Sequence, residues 1–179
     1  MGDEITRLLE RVGAGETAGL AEVFERLYPQ LRQIAASRLR AGERTLTPTV
    51  LVHELFLRTS AGEPLNVVDR RHFFTTAAKA MRWILVDHAR RKAAGKRGGD
   101  LVEVTLTESL PDQVPPDVLD LHEGLEQLAE IAPQQREIVE LHYFGGLEFA
   151  EIAELLQVSE RTVYRQWQRA RAFLHARLS

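Results

Sequence analysis

Three stretches of this 179-residue chain carry residue types that could do chemistry. His53 and Glu54 open HELFL, the first half of a zinc-binding HExxH helix. That site needs a second histidine one turn later, and the position is Leu57. AAGKRGG holds the Gly-Lys pair of a phosphate-cradling loop. Arg90 stands where its first glycine belongs, and Arg97 where Ser or Thr would meet magnesium. The histidines at 53, 72, 88, 122, 142 and 175 show no metal-ligand spacing, and no Ser-His-Asp set can be assembled. The chain has no cysteine, so disulfides and thiolate metal sites are excluded. No catalytic residue, cofactor or metal is expected, and the chain does not read as an enzyme.

The third stretch, GLEFAEIAELLQVSERTVYRQWQRAR at 146–171, offers recognition chemistry. Phe149, Ile152, Ala153 and Leu156 form the inner face of a short helix, and small Ala153 allows a second helix to approach. Gln157 and Val158 make the turn. Ser159 has the hydroxyl that caps a following helix. On that helix Val163, Trp167 and Ala170 recur at core spacing. Arg161, Thr162, Tyr164, Arg165, Gln168 and Arg169 take the other side. With Ser159, these are the donors and acceptors that read phosphates and base edges in a major groove. A solvated helical hairpin would not need cations segregated to one face.

A second nucleic-acid signal lies in RRHFFTTAAKAMRWILVDHARRKAAGKRGG. Lys79, Arg82, Arg90, Arg91, Lys92, Lys96 and Arg97 combine with Phe73, Phe74 and Trp83. Cations interleaved with rings suit a single strand whose bases leave the stack. Phe73 and Ile84 read as core.

The elements that must position these groups are helical. Leu8, Leu9 and Val12, then Leu20, Val23, Phe24, Leu27, Leu31, Ile34 and Ala35, recur at spacings of three and four. Pro29 is expected to kink or divide that run. A helix from about Pro48 to Arg58 follows, with Thr47 as its N-cap and proline at its first position. Gly62 and Pro64 mark residues 60–71 as a loop. A long helix runs from about His72 to Ala94 and stops at Gly95. Residues 99–117 read as a linker, with Pro111, Pro115 and Pro116; VEVTL at 102–106 alternates but is isolated. From Val118, Leu121, Leu125, Leu128 and Ile131 are spaced as a buried stripe. Pro133 opens a helix through about Phe144, which Gly145–Gly146 ends. Helices at about 148–156 and from Ser159 to about Arg177 complete the chain. The fold class is all-α: a domain at 1–98, a linker at 99–117 and a helix-turn-helix domain at 118–179.

The net charge of −3 conceals a segregation. Residues 61–99 carry 9 basic and 3 acidic side chains, a balance of +6; residues 100–130 carry 9 acidic and no Lys or Arg. Blocks of this kind point to charged partners. The N-terminal MGDEITRLLERVG has no basic-then-apolar leader pattern, and no apolar run spans a bilayer. A cytoplasmic protein with no membrane association is expected.

The order of these pieces resembles the bacterial sigma-70 family of RNA polymerase initiation factors, specifically the extracytoplasmic-function (ECF) group, over nearly the whole chain. LVHELFLR resembles the group's polymerase-binding helix, which usually carries acidic residues and a Gln-Glu pair. AMRWILVDHARRK resembles its promoter −10 helix: Arg82 and Asp87 match, and Trp83 replaces the usual Asn. The segment from APQQREIVELHYF to RAFL resembles its −35-binding domain. The resemblance implies binding to core RNA polymerase, at the β′ coiled coil and the β flap, and to promoter DNA. It implies −10 capture by Arg71, His72, Lys79, Arg82, Trp83, Arg90 and Arg91, and −35 contact by the recognition helix. The acidic stretch at 100–130 would thread the channel later used by RNA, or fold back on the basic segment in the free chain. A helix-turn-helix regulator that is not a polymerase subunit remains the alternative.

Against that pattern the polymerase-binding helix, with Thr49, Val50, His53 and Glu54 as its contact residues, is short of carboxylates. Thr49 and Val50 stand where relatives are acidic, and His53 replaces Gln. A phosphate on Thr49, with Thr47 second, would add about −1.5 to −2 charge at a helix N-terminus, where an anion is favoured. The expectation is a Ser/Thr protein kinase that switches the factor on. An anti-sigma factor is the other regulatory partner the resemblance brings in.

Overall fold

A computed structural model describes residues 2–14, 16–39, 46–61, 70–95 and 118–178. The linker at 99–117, most of the 60–71 loop, and the VEVTL and GKRGG stretches lie outside the described residues, apart from Gly95. Among the described residues eight α-helices appear in order: α1 Gly2–Gly13, α2 Thr17–Arg38, α3 Pro48–Ala61, α4 Arg70–Gly95, α5 Val118–Ile131, α6 Pro133–Val139, α7 Phe149–Leu156 and α8 Glu160–Leu178. A π-helical turn, Glu140–Phe144, continues α6. There is no strand among the described residues. The chain is all-α.

Helices α1 to α4 form the first unit. Ile5, Leu8, Leu9 and Val12 of α1 are buried where it packs on α2, whose Leu20, Val23, Phe24, Leu27 and Leu31 are buried in turn, and α2 packs on α3, where Leu51, Val52 and Leu55 are buried. Phe24 meets Phe56 and Phe73 edge-on, with centroids 5.1 and 6.1 Å apart. Pro29 does not divide α2, which runs through it. Pro29 itself is exposed, so its ring occupies solvent, while buried Leu27 and Leu31 hold the helix to the core on either side.

Helix α4 is the hub. Phe73, Phe74, Ala77, Ala78, Met81, Ile84, Leu85, Val86 and Ala89 are all buried, more than one apolar stripe can account for. The reason is that α4 has neighbours on two sides: α3 and α1 on one, α5 and the π-turn on the other. The buried residues of both units therefore join in one contiguous apolar cluster.

In the second unit Val118, Leu121, Leu125 and Leu128 line the inner face of α5. Ile131 departs from the expected stripe and is 66% exposed, because the chain turns at Ala132 into α6 before that last position meets a partner. Pro133 occupies the first turn of α6, as its missing N–H favours. The helix expected through Phe144 widens into the π-turn at Glu140, and Gly145 and Gly146 end it. Gly146 adopts φ +66°. Of the acidic stretch at 100–130, Asp120, Glu123, Glu126 and Glu130 belong to α5.

Candidate nucleic-acid and polymerase interfaces

The recognition helix is built as its sequence requires. Helix α7 begins with the Glu148 N–H donating to Glu151 Oε2 at 2.9 Å, one arm of a capping box. It ends where Gln157 takes a left-handed conformation, φ 55°, and the Val158 N–H reaches back to the Ala153 carbonyl at 3.0 Å. Ser159 Oγ then accepts from the Thr162 N–H at 3.2 Å and caps α8. Val163 and Ala170 are fully buried, and Trp167 packs half-buried beside the His142 ring, 4.8 Å between centroids. His142 is fixed in turn at 2.8 Å from the Leu147 carbonyl. Ser159, Arg161, Tyr164, Arg165 and Arg169 are exposed, with Thr162 and Gln168 half-buried. The helix-turn-helix thus presents its polar face outward on a rigid support.

Helix α3 has a different character. Thr47 Oγ1 accepts from the Val50 N–H at 3.3 Å, and the Thr47 carbonyl accepts from Leu51 at 2.9 Å, so Thr47 is the cap. Thr49, Val50 and His53 are exposed around the first turns. Val50 and Leu57 are large apolar side chains 45% and 50% in solvent, one above the other at i and i+7. Leu57 completes a face that the motif alone did not mark. Glu54 lies 3.2 Å from Arg58, which also binds Asp87 of α4 at 2.6 Å. The hydrogen bond to Asp87 leads in raising the Arg58 pKa. The lone carboxylate of α3 is thereby partly neutralised.

The basic residues of α4 split into two groups. Lys79, Arg90 and Arg91 are exposed, with Arg91 Nε 3.3 Å from the Asp87 carbonyl and Arg90 lying 6.0 Å over the Trp83 ring. His72 is also exposed. Arg71, Arg82 and Trp83 instead meet the second unit. Arg71 donates through Nε and Nη2 to Glu137 Oε1 and Oε2 at 3.0 and 2.8 Å, a two-pronged pair. Trp83 stands edge-on to His122, centroids 4.8 Å apart.

Arg82 is buried completely. Its Nη1 lies 2.8 Å from Glu126 Oε1 and 2.9 Å from His122 Nδ1, and its Nε lies 3.0 Å from Glu140 Oε1. The Nε–Glu140 contact is an ion pair whose angle falls short of a hydrogen bond, and Nη2 has no partner. A guanidinium only donates, so His122 Nδ1 must present its lone pair and the ring proton sits on Nε2. Burial and the Arg82 charge both hold the His122 pKa down, consistent with a neutral ring. Burial pushes the Glu140 carboxyl up, and the charges of Arg82, Arg136 and Lys79 do not fully offset it. At half-exposed Glu126, desolvation alone would raise the pKa; the hydrogen bond and charge of Arg82 outweigh it and lower the pKa. His122, Glu126, Glu137 and Glu140 were not among the residues marked by the motifs. They lie 40 to 66 residues from their partners, and no spacing rule connects them.

Two further ties join the units. Arg38 Nε donates to the Tyr143 carbonyl at 2.6 Å, with its guanidinium 4.1 Å over the Tyr143 ring. Arg70 lies 3.6 Å from Glu154. Among the described residues no group of His, Asp or Glu is disposed to hold a metal ion, and no helix is long and apolar enough to cross a membrane.

Fold and site together define a helical, two-unit protein with a helix-turn-helix and a second basic helix. The chain matches the profile of the ECF sigma factor family over residues 2–179, and it belongs to that family of transcription-initiation factors. No curated protein matches it. Among solved structures it is similar to the one described as CnrH in complex with the cytosolic domain of CnrY. The identity is 18% and the TM-score 0.42, over 95% of this chain and 94% of that one.

Proposed function

We propose that this chain joins core RNA polymerase through the exposed face of α3 and carries it to promoters, with α8 reading the −35 element and α4 the −10 strand. The β′ coiled coil is the partner of Thr49, Val50, His53 and Glu54, with Leu57 on the same helix, and the β flap that of the second unit. Joining is conditional on a Ser/Thr protein kinase that phosphorylates Thr49. The observation that carries this reading is the state of α3: its first turn exposes Thr49 and Val50 and lacks a carboxylate, and Glu54 is held by Arg58. Thr47 is engaged in its own cap bond, which favours Thr49 as the acceptor. A phosphate there would meet the unpaired N–H groups of the first turn.

Reconstituted transcription from core polymerase and a cognate promoter is the test. Thr49→Glu, or the phosphorylated chain, should initiate well above the unmodified protein, and Thr49→Ala should not respond to kinase. Equal initiation by all three forms removes the switch. Failure of every form to bind core polymerase in a pull-down leaves a helix-turn-helix regulator instead. An anti-sigma factor is a further partner in this reading, and its binding would compete with polymerase in the same pull-down.

A further inference from the structure

We infer that Phe149 positions Tyr164 so that the Tyr164 ring reads the C5 methyl of a thymine in the bound duplex. The inference rests on the reading of α8 as the −35 helix and deepens it. Tyr164 is the fifth residue of α8, in the half of a recognition helix that meets base edges. It is 52% exposed. Its ring stands edge-on to Phe149, 6.0 Å between centroids and 72° between planes. By sequence Phe149 belongs to the inner face of α7, yet it is only half-buried. Behind it His142 lies 4.6 Å and Trp167 5.9 Å away, and these two rings meet each other at 4.8 Å. A carbonyl only accepts, so His142 Nδ1 donates to the Leu147 carbonyl at 2.8 Å. The rear of this ring cluster is thereby tied to the backbone just before α7.

Tyr164 differs from its neighbours on this face in what it offers. Arg161, Arg165 and Gln168 bring donors for phosphates and base edges. Tyr164 sets an apolar ring among them, and the apolar group on a major-groove edge is the thymine C5 methyl. A long guanidinium can follow its phosphate through several torsions. A ring packed on a methyl cannot, because a gap of about 0.5–1 Å forfeits roughly a quarter to a half of the attraction. Tyrosine has only two side-chain torsions, and an edge-on ring beside it selects among their staggered wells. Phe149 supplies that ring from α7, which in a helix-turn-helix crosses the backbone rather than entering the groove. Phe149 is therefore a positioning residue, acting on the base through Tyr164.

The test uses the full chain, both loaded on core RNA polymerase and alone. A bound site is selected from randomised duplex DNA and remade with each thymine in turn replaced by uracil. Uracil lacks the C5 methyl and keeps every hydrogen-bonding group. The readout is the ratio of thymine to uracil affinity. Loss of folded protein lowers both affinities alike, so a merely structural defect leaves the ratio where it was. In the wild type one position should give a ratio of about four, the worth of one buried carbon at about 0.8 kcal/mol. Tyr164→Phe should keep that ratio. Tyr164→Ala should bring it to about one, because the two bases share every other major-groove group. Phe149→Leu keeps an apolar side chain but removes the ring, and should also bring the ratio toward one while Tyr164 is still present. The inference is overturned if no thymine responds, or if Tyr164→Ala or Phe149→Leu keeps the wild-type ratio. It is overturned equally if Tyr164→Phe loses the ratio, since the hydroxyl is then the reader. A pull-down with core polymerase runs beside these measurements. Failure there removes the sigma reading, and the ratio on the chain alone still decides the role of Phe149. A chain that selects no duplex in either form overturns the inference together with the DNA reading of α8.

Discussion

Arg82 Nε lies 3.0 Å from Glu140 Oε1, with both side chains at 1% exposure or less, and this one pair crosses from α4 to the π-turn of the second unit. A charge buried on that scale is stable only while its partner is present. Glu126 and His122 share the guanidinium on its Nη1, and Arg136 supports Glu140 at 3.2 Å. The cluster ties closure of the two units to the state of a residue assigned to DNA.

Removing the cation alone should be costly. Arg82→Met leaves Glu140 buried without its closest partner, and a loss of about 3–5 kcal/mol is expected in urea unfolding. Arg82→Met/Glu140→Met replaces both charges with apolar volume and should recover much of it. A double variant no more stable than the single would show that packing, not the pair, holds this contact.

His122 makes closure sensitive to acid. Its folded pKa lies below the ordinary histidine value of 6.5, through burial first and the Arg82 charge second. A base with a depressed folded pKa stabilises fully above its unfolded pKa, and the contribution is lost as pH falls below about 6.5. The groups facing it are Arg82, Arg90 and Trp83 from α4 and Glu123 and Glu126 from α5. Glu140, raised, works in the opposite sense, so the difference between wild type and His122→Asn isolates the imidazole. Wild-type stability relative to that variant should fall as pH drops from 7.5 through about 6 toward 5.5. A difference flat with pH would mean the ring does not titrate across the unfolding transition.

Thr47, which caps α3, and Thr49 in its first turn should separate cleanly. Thr47→Ala removes the cap bond to Val50 and should cost about 1 kcal/mol in thermal melts. Thr49 is exposed, so Thr49→Ala should stay within about 0.5 kcal/mol of wild type. Polymerase binding after kinase treatment should rank them the other way.

Gly146 holds the units together by lacking a side chain. It sits at φ +66°, and a Cβ there would run into the Ile34 side chain of α2. Gly146→Ala should therefore destabilise by about 1–3 kcal/mol, combining left-handed strain with overpacking. Ile34→Ala in the same chain should return part of that loss, read by the same unfolding curve.

On the open face, Arg165→Ala and Arg169→Ala should each weaken duplex binding and lower the slope of log affinity against log salt by about one where the side chain meets a phosphate. Both are exposed on α8 and outside its core stripe, so melting temperatures should not move. An unchanged salt slope in both would remove them from the DNA contact.

The sequence by itself determined the helices and the local chemistry of the helix-turn-helix. Val163, Trp167 and Ala170 against Arg161, Arg165 and Arg169 follow from a 3.6-residue period, and Ser159 and Thr47 are caps whose partners lie three residues away. Local rules reach that far and little further. Pro29 does not divide α2, because a proline's cost in a helix can be borne when flanking leucines are buried and its ring faces water. Ile131 continued a stripe in sequence that the turn at Ala132 ended in space. The fate of Arg82 was decided only by tertiary structure. A cation on a basic helix reads as a DNA contact, and its neighbours in sequence say nothing of Glu126 and Glu140. Those carboxylates arrive from a separate unit and bury the guanidinium, because the apolar side of α4 needs a second partner and the charges beside it must be paired once water is excluded.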